Sequence, residues 1–387
     1  MFSELIQWGV WPTDSMAYVW LGVAILLLFA NWVMRGVEFL VLKRHTKYNA
    51  EKQERYENPT DGVSVIITVN NNAELIRKNL PKFLDQDFPN YEVIVVDEVS
   101  DDESIDVLNF ISSKYPNLKV SRLYAGVKFR RTKKIALNIG ILGAQYDILL
   151  FSEIYAAPVS RNWIREMYSS FTDKIGAVLG ASRFPNRGKV VDMLRFNHNI
   201  HTLKLMLLNH FGIVEGSDLA NYAYKKSYYM ACRGFSKNNQ SVIGYEREMI
   251  LKIMESLPVK VSYNRSNDAL VEYSDNYEVM KNDEAYYFAE KKYWKWSSVL
   301  FADMAQWIRL FAYIFVLILP FVAGFPYWFV GALILLTFIV DFLCVNLQLR
   351  SMLQKKLFIT SLMSTLVGYW SRWGCRIKTL VSESQWR

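Results

Sequence analysis

The sequence is poor in the residues that build covalently or metal-stapled folds. Its 387 residues include three cysteines and four histidines. Cys232, Cys344 and Cys375 lie far apart, which argues against a disulfide framework and against a zinc cluster. The histidines do not fall in metal-ligand spacing. No compact basic and aromatic motif of the nucleic-acid-binding kind is present, so no nucleic-acid partner is expected. Internal repeats, low-complexity stretches and long linkers are missing too. The first sixteen residues carry Glu4 and Asp14 but no lysine or arginine. Without a basic n-region and a small-residue cleavage site, the apolar segment that follows does not read as a signal peptide.

What is present is apolar surface, gathered at the two ends. Hydrophobic residues make up 52% of the chain, aromatics 15% and charged residues 21%. The run from Ala17 to Met34 has no charge, and its apolar character extends to about Leu42. A first transmembrane helix is therefore expected over 17–42, long enough for a hydrocarbon core of about 30 Å. Two more are expected over 306–325 and 327–347, joined at Gly324 and Pro326. Asp341 is costly in lipid and should face protein or lie near the interface. The stretch 357–370, within 352–387, reads as an interfacial or re-entrant helix, or as a fourth span. Lys43, Arg44, Lys47, Lys52 and Arg55 follow the first span, and Arg350, Lys355 and Lys356 follow the third. By the positive-inside rule the tail 1–16 lies outside and the middle of the chain in the cytoplasm, after a basic linker over 43–59. The net charge of +8 then reflects membrane orientation and contact with lipid.

Between the spans, strand and helix patterns alternate. Strands are expected over 62–69, 91–100, 118–125 and 146–153, and helices over 73–86, 102–115 and 133–145. Asn72 is the expected N-cap of the first helix. Such alternation gives an α/β fold with a mostly parallel sheet flanked by helices. Ligands then sit beyond the carboxyl ends of the strands, at Thr68 to Asn72, Asp97 to Asp102 and Ser152 to Pro158. A carboxylate such as Asp97 can accept a hydrogen bond from a nucleotide. It would serve helix capping and loop solvation equally well.

"VSVIITVNNNAELIRKNLPKFLDQDFPNYEVIVVDEVSDDES" resembles the opening of family 2 glycosyltransferases of the GT-A fold. "RRTKKIALNIGI" resembles their Gly-Lys-x-x-Ala-Leu-Asn segment, with Lys133, Ala136, Leu137 and Asn138 in register. "YDILLFSEIYAAP" lies where that family has a strand and an Asp-x-Asp motif, and "LANYAYKKSYYMACRGF" resembles its acceptor-side segment. The resemblance covers about 60–295 and implies a GT-A-like cytoplasmic domain. It also implies contacts to the nucleotide from Thr68, Asn70, Asp97, Glu98 and Lys133, and a magnesium or manganese ion at Glu153. "GYEREMILKIM" aligns Glu246 with the family's catalytic base and Glu248 with its second acid. Equally, both glutamates suit a helix start through its dipole. In "AEKKYWKW", Lys291, Lys292 and Trp294 would meet the acceptor or a phosphate, or would anchor the chain at the membrane interface.

The chain departs from that family where ligands would touch it. Tyr155 stands at the second Asp-x-Asp position, and a neutral phenol is a poor ligand for a hard cation, so the metal is expected to be weakened. Glu246 and Glu248 are each a methylene longer than aspartate, and an error of about 1 Å in placing a base costs roughly 10²-fold. Thr132 replaces a glycine before the lysine, and no Gln-x-x-Arg-Trp register fits. The expectation is an inner-membrane, multi-pass protein of glycan or lipid-linked saccharide assembly. It would be catalytically impaired, a scaffold or partner of a second, active glycosyltransferase. The alternative is an active hexosyltransferase using a nucleotide-sugar such as a UDP-sugar.

Two smaller features complete the reading. His198 and His201 are three apart on the helix 196–210 and could share a metal, although no third ligand is evident; the apolar face of that helix is expected against the membrane or an acceptor channel. Arg183, Arg187, Lys189 and Arg195 lie in a stretch that would be solvated or meet a headgroup.

Overall fold

The computed structural model describes residues 11–44, 50–124, 133–185, 192–235, 243–264 and 266–351. Residues 1–10, Lys47, Thr132, Arg187, Lys189, Lys355, Lys356, Cys375 and the whole of 352–387, with the helix expected over 357–370, lie outside them. The chain forms two compact units, Met1–Lys43 with Lys295–Tyr369, and Arg44–Trp294 with Trp370–Arg387.

The first unit opens with α1, Ser15–Arg44, a little longer at both ends than the expected span. In the second, α2 occupies Ala50–Glu57. The basic linker is therefore partly helical, with Gln53 bonded to Glu57 at 2.6 Å and Lys52 paired with Glu166 at 2.5 Å. Then come β1 (Val63–Val69), α3 (Ala73–Leu84), β2 (Tyr91–Asp97), α4 (Ser104–Ser112), β3 (Leu118–Arg122), α5 (Lys133–Gly143) and β4 (Ile148–Glu153). The chain continues through β5 (Ala156–Pro158), α6 (Trp163–Ser169), β6 (Ile175–Gly180), β7 (Ser182–Arg183), α7 (Asp192–His210), β8 (Tyr222–Lys225) and α8 (Lys226–Ala231). It ends with α9 (Tyr245–Ser256), β9 (Lys260–Asn264), β10 (Val271–Tyr273), α10 (Tyr277–Glu290) and a 3-10 turn at Lys291–Tyr293.

The main sheet has the order β3-β2-β1-β4-β8-β6-β9. Neighbours from β3 to β4 are parallel, as are β6 and β9, while β8 runs antiparallel to both β4 and β6. β1 is buried along its whole length, which explains its unbroken β-branched run. Beside this sheet, β5, β10 and β7 form a second, three-stranded one. Its strands of two or three residues are too short to leave a period in the sequence.

Two local expectations are corrected. Asn72 sits at the start of α3 but makes no capping bond, because its Oδ1 accepts from the Asn70 amide at 3.2 Å. Asp102, from the next strand-to-helix turn, accepts from the Ala73 amide instead, at 3.1 Å. α7 is buried over most of its length, so its apolar face lies within this unit. Arg195 on it donates to the Pro185 carbonyl, and Arg183 pairs with Glu272 at 2.7 Å.

The first unit is completed by α11, Trp296–Ala323, and α12, Tyr327–Ser351. Together with α1 these are three helices long and apolar enough to cross a membrane. α11 starts ten residues before the expected 306, and within it Arg309 donates to Asn31 at 3.2 Å. Gly324, at φ +68°, ends α11 in the left-handed conformation that glycine supports. Alanines 17, 24, 312 and 323 let the helices approach closely. Asp341 faces protein: Arg35 donates to it at 3.1 Å and Tyr313 at 2.9 Å, with Arg309 at 3.9 Å. Glu38 and Gln348 complete the group around Arg35.

Candidate active site

The strand register gathers the nucleotide-side residues. Val69 pairs with Asp97 and Thr68 with Glu153, so β2, β1 and β4 end side by side in polar groups. The turns that follow are strained: Asn71 and Val99 adopt φ of +53° and +63°. For a β-branched residue that conformation is an outlier costing about 1–3 kcal/mol, which the surrounding bonds must hold in place. Asn71 Oδ1 accepts from the amide of Asp101 at 2.8 Å, and Asn70 donates to the Glu98 carbonyl, also at 2.8 Å. Asp97 is 0% exposed, accepts from the amide and hydroxyl of Ser100, and pairs with Arg122 at 3.1 Å. Thr68 bonds Glu98, whose carboxyl burial pushes up.

α5 brings two lysines to this edge. Lys133 pairs with Glu153, and Lys134 lies 3.6 Å from Glu248. Burial raises Glu153 above the usual carboxylate range, against the pull of the Lys133 ammonium. Two residues on, the Tyr155 ring stacks on Tyr273 at 5.8 Å with 11° between planes. Burial, and then the Glu153 charge, push its phenol well above 10.

α9 begins at Gly244, φ +76°, whose amide donates to the Tyr286 hydroxyl at 2.9 Å. That hydroxyl in turn reaches both oxygens of Glu246, at 2.9 and 3.0 Å. Glu246 is 1% exposed, and burial pushes its carboxyl up to about 7. A second buried carboxyl, Glu290, lies alongside: a Cβ on Gly244 would be 3.5 Å from its Cγ, an ordinary contact. Burial and then the Glu246 charge push Glu290 upward as well, and its Oε1 has no hydrogen-bond partner among the described residues. The Glu246 carboxyl feels both Lys133 and Glu153, which puts the start of α9 and the end of β4 in one electrostatic field.

The structure therefore brings Thr68, Asn70, Asp97, Glu98, Lys133, Glu153 and Glu246 to the same edge of the sheet. It turns Glu248 aside to Lys134, as expected for residues two apart on a helix. Around Lys291 and Lys292 the chain splits: Lys292 is exposed, Lys291 lies 5.8 Å from the Trp294 ring, and Trp294 is buried edge-on to Tyr287. Trp294 is thus a packed residue of this unit.

Sequence reasoning missed Tyr286, Glu290 and a buried cluster behind Tyr273. The Tyr273 hydroxyl contacts Asp218 and Asp283, each at 3.0 Å, and His198 joins Asp283 at 2.9 Å to Ser182 at 3.0 Å. Burial pushes His198 down, but the Asp283 carboxylate outweighs it and the net shift is upward. His201 instead stacks on Tyr287 at 3.5 Å. Among the described residues no three His, Cys, Asp or Glu side chains are grouped to hold a metal.

A divalent ion, implied by the fold family, would meet a poor donor set here. Glu153 is engaged by Lys133, the Tyr155 phenol is neutral, and both Asp218 oxygens are bonded to Ser182, Tyr273 and the Ala220 amide. A hard cation wants several free oxygens, and these residues do not fit one.

The sheet order, the acidic strand ends and the small second sheet define the GT-A fold of nucleotide-diphospho-sugar transferases. A mannosyltransferase from Pyrobaculum calidifontis, solved with GDP-mannose and Mn2+, superposes with a TM-score of 0.56 over 94% of this chain and 98% of that one, at 16% identity. In sequence, the model of Glycosyl transferase family 21 matches residues 25–206. A Methanococcus voltae dolichyl N-acetyl-alpha-D-glucosaminyl phosphate 3-beta-D-2,3-diacetamido-2,3-dideoxy-beta-D-glucuronosyltransferase is 32% identical over 98 residues, 25% of this chain and 30% of that protein. Bacillus subtilis YdaM, named a probable glycosyltransferase, is 26% identical over 194 residues, 49% of this chain. The matched stretch spans 44% of that protein, so this chain covers under half of either relative.

Proposed function

We propose that the protein is a membrane-bound glycosyltransferase that moves a sugar from a nucleoside-diphosphate sugar to a lipid-linked acceptor. The observation that carries this reading is Glu246: a buried carboxyl near pKa 7, oriented by Tyr286, within the field of Lys133 and Glu153. A base poised near the working pH is what removal of a hydroxyl proton needs. In the reaction, the acceptor oxygen bonds to the anomeric carbon as the bond to the diphosphate breaks. The bonding pair leaves with the diphosphate, and the hydroxyl proton passes to Glu246. Asp97 and the turns after β1 and β2 hold the nucleotide. A lipid-linked acceptor is supported by the three apolar helices and by the Methanococcus voltae relative, whose name specifies a dolichyl N-acetyl-alpha-D-glucosaminyl phosphate. We assign the soluble unit to the cytoplasmic face of the cell inner membrane, from the basic residues after α1.

The test is transfer from a panel of radiolabelled nucleotide-sugars to membrane lipid extract, with purified protein in nanodiscs. Labelled lipid that disappears with Glu246→Gln supports the proposal. A second reading, a catalytically silent scaffold for another transferase, is favoured by Glu153 and Tyr155 in place of an Asp-x-Asp pair. No labelled lipid with any donor, together with stoichiometric co-purification of a transferase that is itself active, would favour that reading instead.

A further inference from the structure

We propose that Lys133 does the work of a divalent cation in this site: its ammonium, held by Glu153 before substrate arrives, transfers to the diphosphate and neutralises it without metal. The inference rests on the reading above and concerns how the same site binds its donor.

Three observations carry it. Glu153 and Tyr155 occupy the strand end where a cation would be gripped, yet Lys133 already sits on one Glu153 oxygen and the Tyr155 phenol is neutral and stacked on Tyr273. The pair is also asymmetric in exposure: the lysine side chain is 30% exposed and the glutamate 7%. A diphosphate approaching from solvent meets the ammonium first and the carboxylate only behind it. Finally, the carboxyls of Glu98, Glu153 and Glu246 all feel the Lys133 ammonium, which makes it the positive charge shared at this edge of the sheet. Lysine binds phosphate as a point charge with three rotatable donors, and can exchange one oxyanion for another by turning its flexible stem.

The rival account is that Lys133–Glu153 is a structural ion pair that leaves ligand binding alone. Calorimetric binding of UDP, GDP, ADP, CDP and dTDP to the full chain in nanodiscs separates the two, with EDTA and with Mn2+. The expected result is that at least one of these binds with affinity equal within about threefold in EDTA and in Mn2+. Lys133→Ala should weaken binding at least about tenfold, as loss of one charge-assisted contact does. Lys133→Arg should restore most of it, and Glu153→Gln, which releases the lysine, should leave it unchanged or tighter. Thermal unfolding of each variant checks that the fold is kept. Binding that requires Mn2+ and is lost in Glu153→Gln overturns the inference while leaving the glycosyltransferase reading intact. So does binding insensitive to Lys133→Ala. Binding of none of the five under either condition overturns both.

Discussion

Each unit of the molecule buries an acid against a tyrosine hydroxyl, and the two acids do opposite work. Asp341, between α1, α11 and α12, accepts from Tyr313 at 2.9 Å, with Arg35 and Arg309 on its two oxygens. Glu246, at the start of α9, accepts from Tyr286 at the same distance; among the described residues no lysine or arginine pairs with it directly, Lys133 acts on it only through the field, and its buried neighbour is another acid, Glu290. An acid supplied with counter-charges is fixed in one state and can register helices. One without a counter-charge in direct contact sits near its own titration point and can move a proton. A tyrosine contact orients both; the counter-charge decides what each is for.

The contrast can be broken from either side. Asp341→Ala leaves two guanidinium groups buried without their acid and should cost about 3–5 kcal/mol, read as loss of cooperative unfolding of the helical unit in detergent. Glu246→Gln should do the reverse to stability. With its carboxyl raised from the ordinary 4.5 to about 7, the folded form keeps its proton between those values while the unfolded chain has lost it. Stability from this group is whole below about pH 4.5 and falls as pH rises toward 7. The glutamine variant should therefore be more stable than the parent by about 3 kcal/mol at pH 8, and by only about 1 kcal/mol at pH 5, by thermal melts at both. That same variant should lose sugar transfer by about 10²-fold or more, a barrier increase of roughly 2.7 kcal/mol. A smaller effect sharpens the picture. Tyr155→Phe keeps the ring against Tyr273 and should change stability by less than about 0.5 kcal/mol, with no change in nucleotide affinity. A larger change would mean that the hydroxyl itself meets ligand or metal.

The sheet from β1 to β4 was legible because those strands are unbroken apolar runs and the helices between them keep a helical period. β8 lies within "LANYAYKKSYYMACRGF", where nothing local specifies an antiparallel strand between β4 and β6. β5, β7 and β10 span too few residues to show any alternation. The same limit applied to the site. Asp97, Lys133, Glu153 and Glu246 stood out because each ends or begins an element in a familiar pattern. Tyr286 and Glu290 lie some forty residues from Glu246, and only the fold makes α10 their common support. A single signal was available for Glu290, an acid set into an otherwise basic and aromatic run, "AEKKYWKW".

The most direct measurement is the pH dependence of kcat/KM for sugar transfer in the parent and in Glu246→Gln. If Glu246 is the base, the parent's rate rises through a group titrating at about 7, and the variant's residual rate no longer shows that limb. A parent-like profile in Glu246→Gln, at a parent-like rate, would contradict the account.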